Sequence, residues 1–337
     1  MSSSISSEPL GAGNAIKTAL KLLLVALLFY FLARKGLFSI PETGKALTRL
    51  DRILPGFAAV FATYFLGMAR WRCLLEAQGF HLGWARISQL SLIGYFFNVA
   101  LPGSVSGDLV KAYYVSEDTK GQSARVFGTI LFDRIAGVIA LVIVSALALA
   151  LNADAFGRTP LFLAICFSVA AAAAGVALFL VYLFTVSERS DPLLRALTAL
   201  EARWPRAATL TRVYLGLKDF RGRPGTVAAA VGISLLSHLL VCLGGILFAR
   251  ALGEEALPAG AIMVVVPLGF LLTAVPLMPG GIGTGHAAFS VLFSAISSAR
   301  GADVFNLYIL VQLVCSAIGG LVYLRSGISA ASARRRP

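Results

Sequence analysis

Residues 273–292 read TAVPLMPGGIGTGHAAFSVL, in which Pro276, Pro279, Gly280, Gly281, Gly283 and Gly285 interrupt an otherwise apolar run. Proline removes a backbone donor and pushes its predecessor toward extended geometry, while glycine has no Cβ to restrict its dihedrals. The stretch therefore predicts a broken helix. Residues 101–108, LPGSVSGD, interrupt the run Ile87 to Ala100 in the same way. The central expectation is that both breaks lie at membrane depth.

Composition supports that depth. The chain has 337 residues, 58% hydrophobic and 13% charged, with mean hydropathy +0.84. A soluble protein of this length needs more charge to cover its surface, and repeated apolar runs above about 18 residues argue against a few buried helices. In hydrocarbon the backbone is satisfied only in helices or closed barrels, and runs that do not alternate select helices. Cys73, Cys166, Cys242 and Cys315 are dispersed without CxxC or Cys/His spacing, so neither a disulfide scaffold nor a metal site is indicated, and no cofactor is implied. The net charge is +13, but the basic residues cluster between spans, where anionic lipid and orientation account for them without nucleic acid.

The expected fold is an all-α polytopic membrane protein. Residues 1–18 read as a polar N-terminal tail, 19–325 as a single transmembrane domain and 326–337 as a basic C-terminal tail. No small-residue cleavage site precedes Arg34 and Lys35, which favours an uncleaved first helix over a signal peptide. About six full spans are expected, at Thr18–Leu32, Leu54–Ala69, Val126–Leu151, Pro160–Thr185, Thr226–Ala249 and Val304–Leu324. Ile87 to Ala100, 14 residues, is too short to cross and reads as one limb of a re-entrant pair, with Gly103 and Gly107 making the reversal and Asp108 capping the returning helix. Leu257 to Met278 and His286 to Ile296 flank the second break in the same manner. Ser187 to Gly225, with eight basic and four acidic residues, reads as an amphipathic surface connection.

Positive-inside bias places the 187–225 connection and the C-terminal tail in the cytoplasm and the acidic 250–258 link outside. Residues 70–125 and both termini then fall inside, so the first broken pair enters from the cytoplasm and the second from outside. Residues 54–151 and 226–325 each read as span, broken pair, span, in opposite orientation. Inverted units with interrupted helices are a transporter architecture. Loop 34–53 would face out with five basic and two acidic residues, against the charge bias.

A charge in hydrocarbon must pair, snorkel or line a wet cavity, which singles out Asp108, Asp133 and Arg134. Asp133 and Arg134 are adjacent, so on a helix they point in different directions and need different partners. Arg134 is expected to contact a lipid phosphate, Asp108 or opened backbone carbonyls; Asp133 reads as structural or as a partner of a cationic headgroup. Lys111 is one turn from Asp108. Arg70, Arg72, Lys111, Arg125 and Arg134 together suggest an electropositive vestibule, with Trp71 as an interface anchor and ordinary positive-inside anchoring as the alternative for Arg70 and Arg125. At the second break, glycine amides and a helix start suit phosphate, and His286 is either a titrating donor or a satisfied structural group. Asn98 and Gln312 read as interhelical ties, as does His238.

Three motifs in this order, FNVALPGSVSGDLVKAYYVSED at 97–118, GTILFDRIAGV at 128–138 and PLMPGGIGTGHAAF at 276–289, resemble the transmembrane region of lysylphosphatidylglycerol synthases and their stand-alone relatives. The resemblance runs from the first span to the last. It implies a multi-pass protein of the bacterial inner membrane with a flippase-like fold that moves polar lipids between leaflets, with broken helices around a lipid-accessible cavity. Asp108 matches the acidic position after the first break, Asp133 and Arg134 the early-span pair, and Pro279, Gly280, Gly281 and Gly283 the second break. Many relatives carry glutamate where this chain has His286.

In fused relatives the aminoacyl transfer belongs to a separate soluble domain. This sequence has no nucleophile triad, carboxylate pair or metal cluster, so a non-enzymatic module is expected. The expected function is translocation of a polar phospholipid through a groove formed by Asn98, Pro102, Gly103, Gly107, Asp108, Lys111, Arg125, Asp133, Arg134, Pro279, Gly280, Gly281, Gly283 and His286. Two alternatives stay open: a lipid-binding accessory that presents substrate to a membrane enzyme partner, and an ion or small-solute transporter.

Overall fold

A computed structural model describes residues 44, 48–101, 106–119, 122–153, 156, 159–273 and 283–325. The described chain is all-helical: α1 Leu50–Ala77, α2 Trp84–Ala100, α3 Ser106–Asp118, α4 Ser123–Leu151, α5 Pro160–Thr185, α6 Pro192–Arg203, α7 Ala208–Lys218, α8 Pro224–Ala251, α9 Ala259–Thr273, α10 Thr284–Ser294 and α11 Gly301–Arg325, with short 3-10 turns around α6 and α7. Five of these, α1, α4, α5, α8 and α11, are long and apolar enough to cross a membrane. The chain is thus a multi-spanning helical membrane protein. The expected first span, Thr18–Leu32, lies outside the described residues, as do Pro102, Gly103, Pro279, Gly280 and Gly281.

Neither interrupted stretch is one helix. At the first, α2 ends at Ala100 and Leu101 turns extended, with φ −111° and ψ 150°, before α3 starts at Ser106. At the second, α9 ends at Thr273 and α10 follows Gly283, whose φ of +91° is left-handed geometry that favours glycine. Helices α2 and α3 run antiparallel. Near the break, a Cβ on Gly107 would overlap the Gly94 carbonyl oxygen, so only glycine permits that approach. At the far end, Arg86 donates from Nε and Nη2 to the two Asp118 oxygens at 2.8 and 3.1 Å. The chain therefore returns to the end from which α2 started.

Helix α1 is longer than expected. The sequence suggested closure at Arg70-Trp71-Arg72 with tryptophan at an interface, but the helix runs on to Ala77 and Trp71 is 1% exposed. Its other end explains part of the charge conflict in loop 34–53. Arg49 and Arg52 donate to the Arg250 carbonyl and both pair with Glu255, so this basic end sits beside the acidic 250–258 link.

The main packed pairs are α1 on α8, α2 on α11 and α4 on α8, with α9 against α4 and α10. Helix α5 packs on α4 and exposes Leu163, Phe167 and Leu178, a face suited to lipid. The amphipathic connection is tied down through one fully buried carboxylate. Asp191 accepts from Tyr182 Oη at 2.6 Å, Tyr214 Oη at 2.7 Å and the Leu193 and Leu194 amides at 3.0 Å, and pairs with Lys218 Nζ at 2.7 Å. Lys218 also donates to the Val186 carbonyl at 2.7 Å. Burial alone pushes the Asp191 carboxyl up, but the bonds from Lys218, Tyr182, Tyr214 and Leu194 outweigh it and hold it well below the usual carboxylate range.

A depressed carboxyl stabilises the fold above its unfolded value and loses that contribution as the pH falls through the folded value. Acid should therefore loosen the 187–225 connection only below about pH 4, the ordinary aspartate range. Asp191→Asn leaves Lys218 charged and buried, which should cost about 3–5 kcal/mol. Limited proteolysis across pH checks both points: the variant should be cut within 187–225 at neutral pH, where the parent chain resists.

Candidate functional site

Arg134 stands eleven residues beyond Ser123, about 16 Å along α4 at 1.5 Å per residue. At this level the charges divide into two clusters. Asp108, 5% exposed, opens α3 and accepts from Arg134 Nε; its other oxygen lies 3.4 Å from Lys111 Nζ. Lys111 stands one turn along the same helix, and its ammonium lies 4.4 Å from the centre of the Trp71 ring. Trp71 Nε1 in turn donates to Thr129 Oγ1 at 3.3 Å. The tryptophan thus closes one side of a buried cation site.

The second cluster projects from a different side of α4, since adjacent helical residues diverge by about 100°. Arg70 donates from Nε and Nη2 to Asp133 at 2.6 and 2.9 Å and from Nη1 to Ser234 Oγ on α8 at 2.7 Å. Asp133 is therefore a structural ion-pair partner. Nearby, His238 Nε2 bonds the Gly137 carbonyl at 3.0 Å, the interhelical tie expected of it.

The geometry corrects the proposed five-residue vestibule. Arg70 is bound to Asp133, and Arg72 pairs with Glu76 at 2.7 Å and covers the Trp84 ring. Arg125 is nine residues from Arg134, half-way round the helix, and donates to Gln122 and Gln78. Only Lys111 and Arg134 come together, on Asp108. Asn98 is close to this cluster through the hairpin, its Oδ1 accepting the Gly107 amide at 2.8 Å. That bond satisfies the first turn of α3, where backbone amides lack intrahelical acceptors.

At the second break, Gly283 N–H donates to His286 Nδ1 at 3.2 Å, which places the ring proton on Nε2, 2.8 Å from Asn306 Oδ1 on α11. The ring also meets Phe305 edge-on, with centroids 4.9 Å apart. His286 is thus a bonded group linking α10 to α11. Asn306, Ser234 and Thr129 were not singled out in the sequence; each is a small polar residue in an apolar run, and only its partner marks it. Among the described residues no group of three or more His, Cys, Asp or Glu side chains is placed to hold a metal.

The Arg70–Asp133 pair is largely buried, with side chains 15% and 14% exposed. Asp133→Ala strands a buried guanidinium and should cost about 3–5 kcal/mol, whereas Arg70→Met with Asp133→Leu should recover most of that loss. Thermal unfolding of the detergent-purified variants reads the difference; equal destabilisation by the single and double changes would contradict a purely structural role.

No curated protein and no solved structure gives a match to this chain. Residues 18–320 do match the family described as the lysylphosphatidylglycerol synthase TM region, and by that match, over most of its 337 residues, the chain belongs to this family.

Proposed function

We propose that this protein moves a polar phospholipid between the leaflets of the bacterial inner membrane, with the headgroup phosphate meeting Arg134 and Lys111 while the acyl chains stay in the bilayer. One observation carries the reading. Arg134 and Lys111 share the single carboxylate of Asp108, so the three side chains together hold one positive charge, and the Arg134 side chain is 42% exposed at that depth. To a partly exposed guanidinium inside an apolar span, a lipid phosphate is the anion that a membrane supplies. The same positive charge disfavours a cation as the cargo in the ion or small-solute transporter alternative.

The packing supports an inverted repeat about this site. Exchange α1 with α8, α2 with α9, α3 with α10 and α4 with α11, and each packed pair among these eight helices acquires a counterpart. The contact of α2 on α11 answers α4 on α9, α4 on α8 answers α1 on α11, and α3 on α4 answers α10 on α11. Under this reading the two interrupted hairpins reach membrane depth from opposite sides, both termini are cytoplasmic, and Ser106-Gly107-Asp108 has Thr284-Gly285-His286 as its counterpart. Asn98 and Gly283 then belong to the two ends of the groove, with His286 offering an N–H where the first half offers charge. A second reading, presentation of bound lipid to a membrane enzyme, is favoured by the family description, which names a synthase.

Exchange of a headgroup-labelled phospholipid in proteoliposomes separates these readings. The parent chain should accelerate exchange above protein-free vesicles, and Arg134→Gln should slow it roughly tenfold or more, the effect of losing about 1.4 kcal/mol at the barrier. Saturable lipid binding without exchange would select the presenting role. Equal rates for parent, Arg134→Gln and empty vesicles, with no binding, would overturn both.

A further inference from the structure

A cleft of about 400 Å³ opens at the end of the bundle where α1 finishes, between the turn after α1, the last turn of α3 and the first turn of α4. Its lining includes Gln78, Phe80, Asp118, Thr119, Gln122 and Arg125. Arg125 is fixed there by neutral groups. Its Nη1 donates to Gln122 Oε1 at 3.1 Å, and Nη2 donates to the Gln78 carbonyl at 3.3 Å and to Gln78 Oε1 at 3.1 Å. The Phe80 ring lies against the guanidinium, with its centre 5.6 Å away. Gln78 is itself 3% exposed and anchored, its Nε2 donating to the Gly216 carbonyl on α7 at 3.3 Å.

The charges around this cleft are unevenly matched. Asp118, the one acid in the lining, is engaged by Nε and Nη2 of Arg86. Among the described residues no carboxylate pairs with Arg125. Its hydrogen bonds therefore set the plane of the guanidinium without cancelling its charge, the arrangement that suits an incoming oxyanion. An arginine serving only as an interface anchor has no need of two amide side chains, one of them buried, to hold its orientation.

We propose that this cleft is a second anion site, which takes the phosphate of a headgroup-sized molecule from the aqueous side. It is separate from the Asp108 cluster: Arg125 and Arg134 are about 13 Å apart along α4 and on opposite faces. The phosphate belongs either to a lipid headgroup at the membrane surface or to a soluble phosphate ester. Binding here does not depend on leaflet exchange, so the inference stands or falls apart from the transport reading.

The test uses the full chain in phosphatidylcholine nanodiscs, titrated calorimetrically with glycerol 3-phosphate. Saturable binding is expected, weakened about tenfold or more by Arg125→Gln, a change of about 1.4 kcal/mol. Arg212→Gln, which removes an exposed charge from α7, should leave binding unchanged. Gln122→Glu keeps Arg125 in place but gives it a carboxylate partner; it should weaken binding as strongly while leaving the melting temperature at or above that of the parent. Replacing part of the nanodisc lipid with phosphatidylglycerol distinguishes the sources: competition with glycerol 3-phosphate identifies the lipid headgroup, and its absence identifies a soluble ester. No saturable binding by the parent, or undiminished binding by both Arg125→Gln and Gln122→Glu, would overturn the site.

Discussion

Charge at depth is the constraint on which this structure depends. Among the described residues, two carboxylates and three cations lie at this depth among apolar helices, and each carboxylate meets an arginine from another element: Asp108 meets Arg134, and Asp133 meets Arg70. Removing an ion from water costs several kcal/mol, which a partner at hydrogen-bond distance largely offsets. The partners are spread over α1, α3 and α4, so satisfying them fixes where those three helices stand. Asp133 and Arg134, being neighbours on α4, point to different sides and bind different helices. One dipeptide thereby positions α1 and α3 on neighbouring sides of α4, where Lys111 also meets the Trp71 ring.

The hairpin of α2 and α3 brings Asp108 to that level. Its backbone approach at Gly94 and Gly107 leaves no room for a side chain, and Asn98 supplies the acceptor that the Gly107 amide would otherwise lack. On the inverted arrangement proposed above, the second hairpin does the same work with different chemistry. There Gly285 lies so close to Phe305 that a Cβ would overlap the ring, and His286 bonds Asn306 through a neutral pair. The two halves then differ in electrostatics while sharing packing: one offers a net positive charge, the other a hydrogen-bond donor.

The helices, both interruptions and the divergence of Asp133 from Arg134 were legible in the sequence because each follows from local rules: apolar run length, proline and glycine chemistry, and helical periodicity. The partners were not. Arg70 and Asp133 are 63 residues apart, and nothing near either names the other. The triplet Arg70-Trp71-Arg72 has the composition of an interface anchor, and local composition cannot show that Lys111 from another helix covers the tryptophan ring. Arg125 was grouped with Arg134 by charge and proximity in sequence; the half-turn between them, readable from nine residues of helix, separates their environments. The charge excess of loop 34–53 was resolved in part by Glu255, about 200 residues away, meeting Arg49 and Arg52.

Under the proposed transport reading, the same contacts limit the motions open to leaflet exchange. Among the described residues, the ion pairs at depth all fall within the first half: Asp108 with Arg134 and Lys111, and Arg70 with Asp133. The bonds that cross to the second half at that level end on neutral groups, from Arg70 to Ser234 and between His238 and the Gly137 carbonyl. An ion pair also crosses, between Arg49, Arg52 and Glu255, but its side chains are 34–58% exposed at the end of the bundle, where such pairs contribute about 0–1 kcal/mol. On the proposed reading, rocking one half against the other breaks those hydrogen bonds, worth about 1–3 kcal/mol each, and must slide the apolar contacts of α1 on α8, α2 on α11 and α4 on α8, whereas separating α1 or α3 from α4 breaks buried ion pairs at about 3–5 kcal/mol. Rocking of this kind keeps the Asp108 cluster assembled, and on the proposed reading a phosphate held by Arg134 and Lys111 would travel with the first half as a unit.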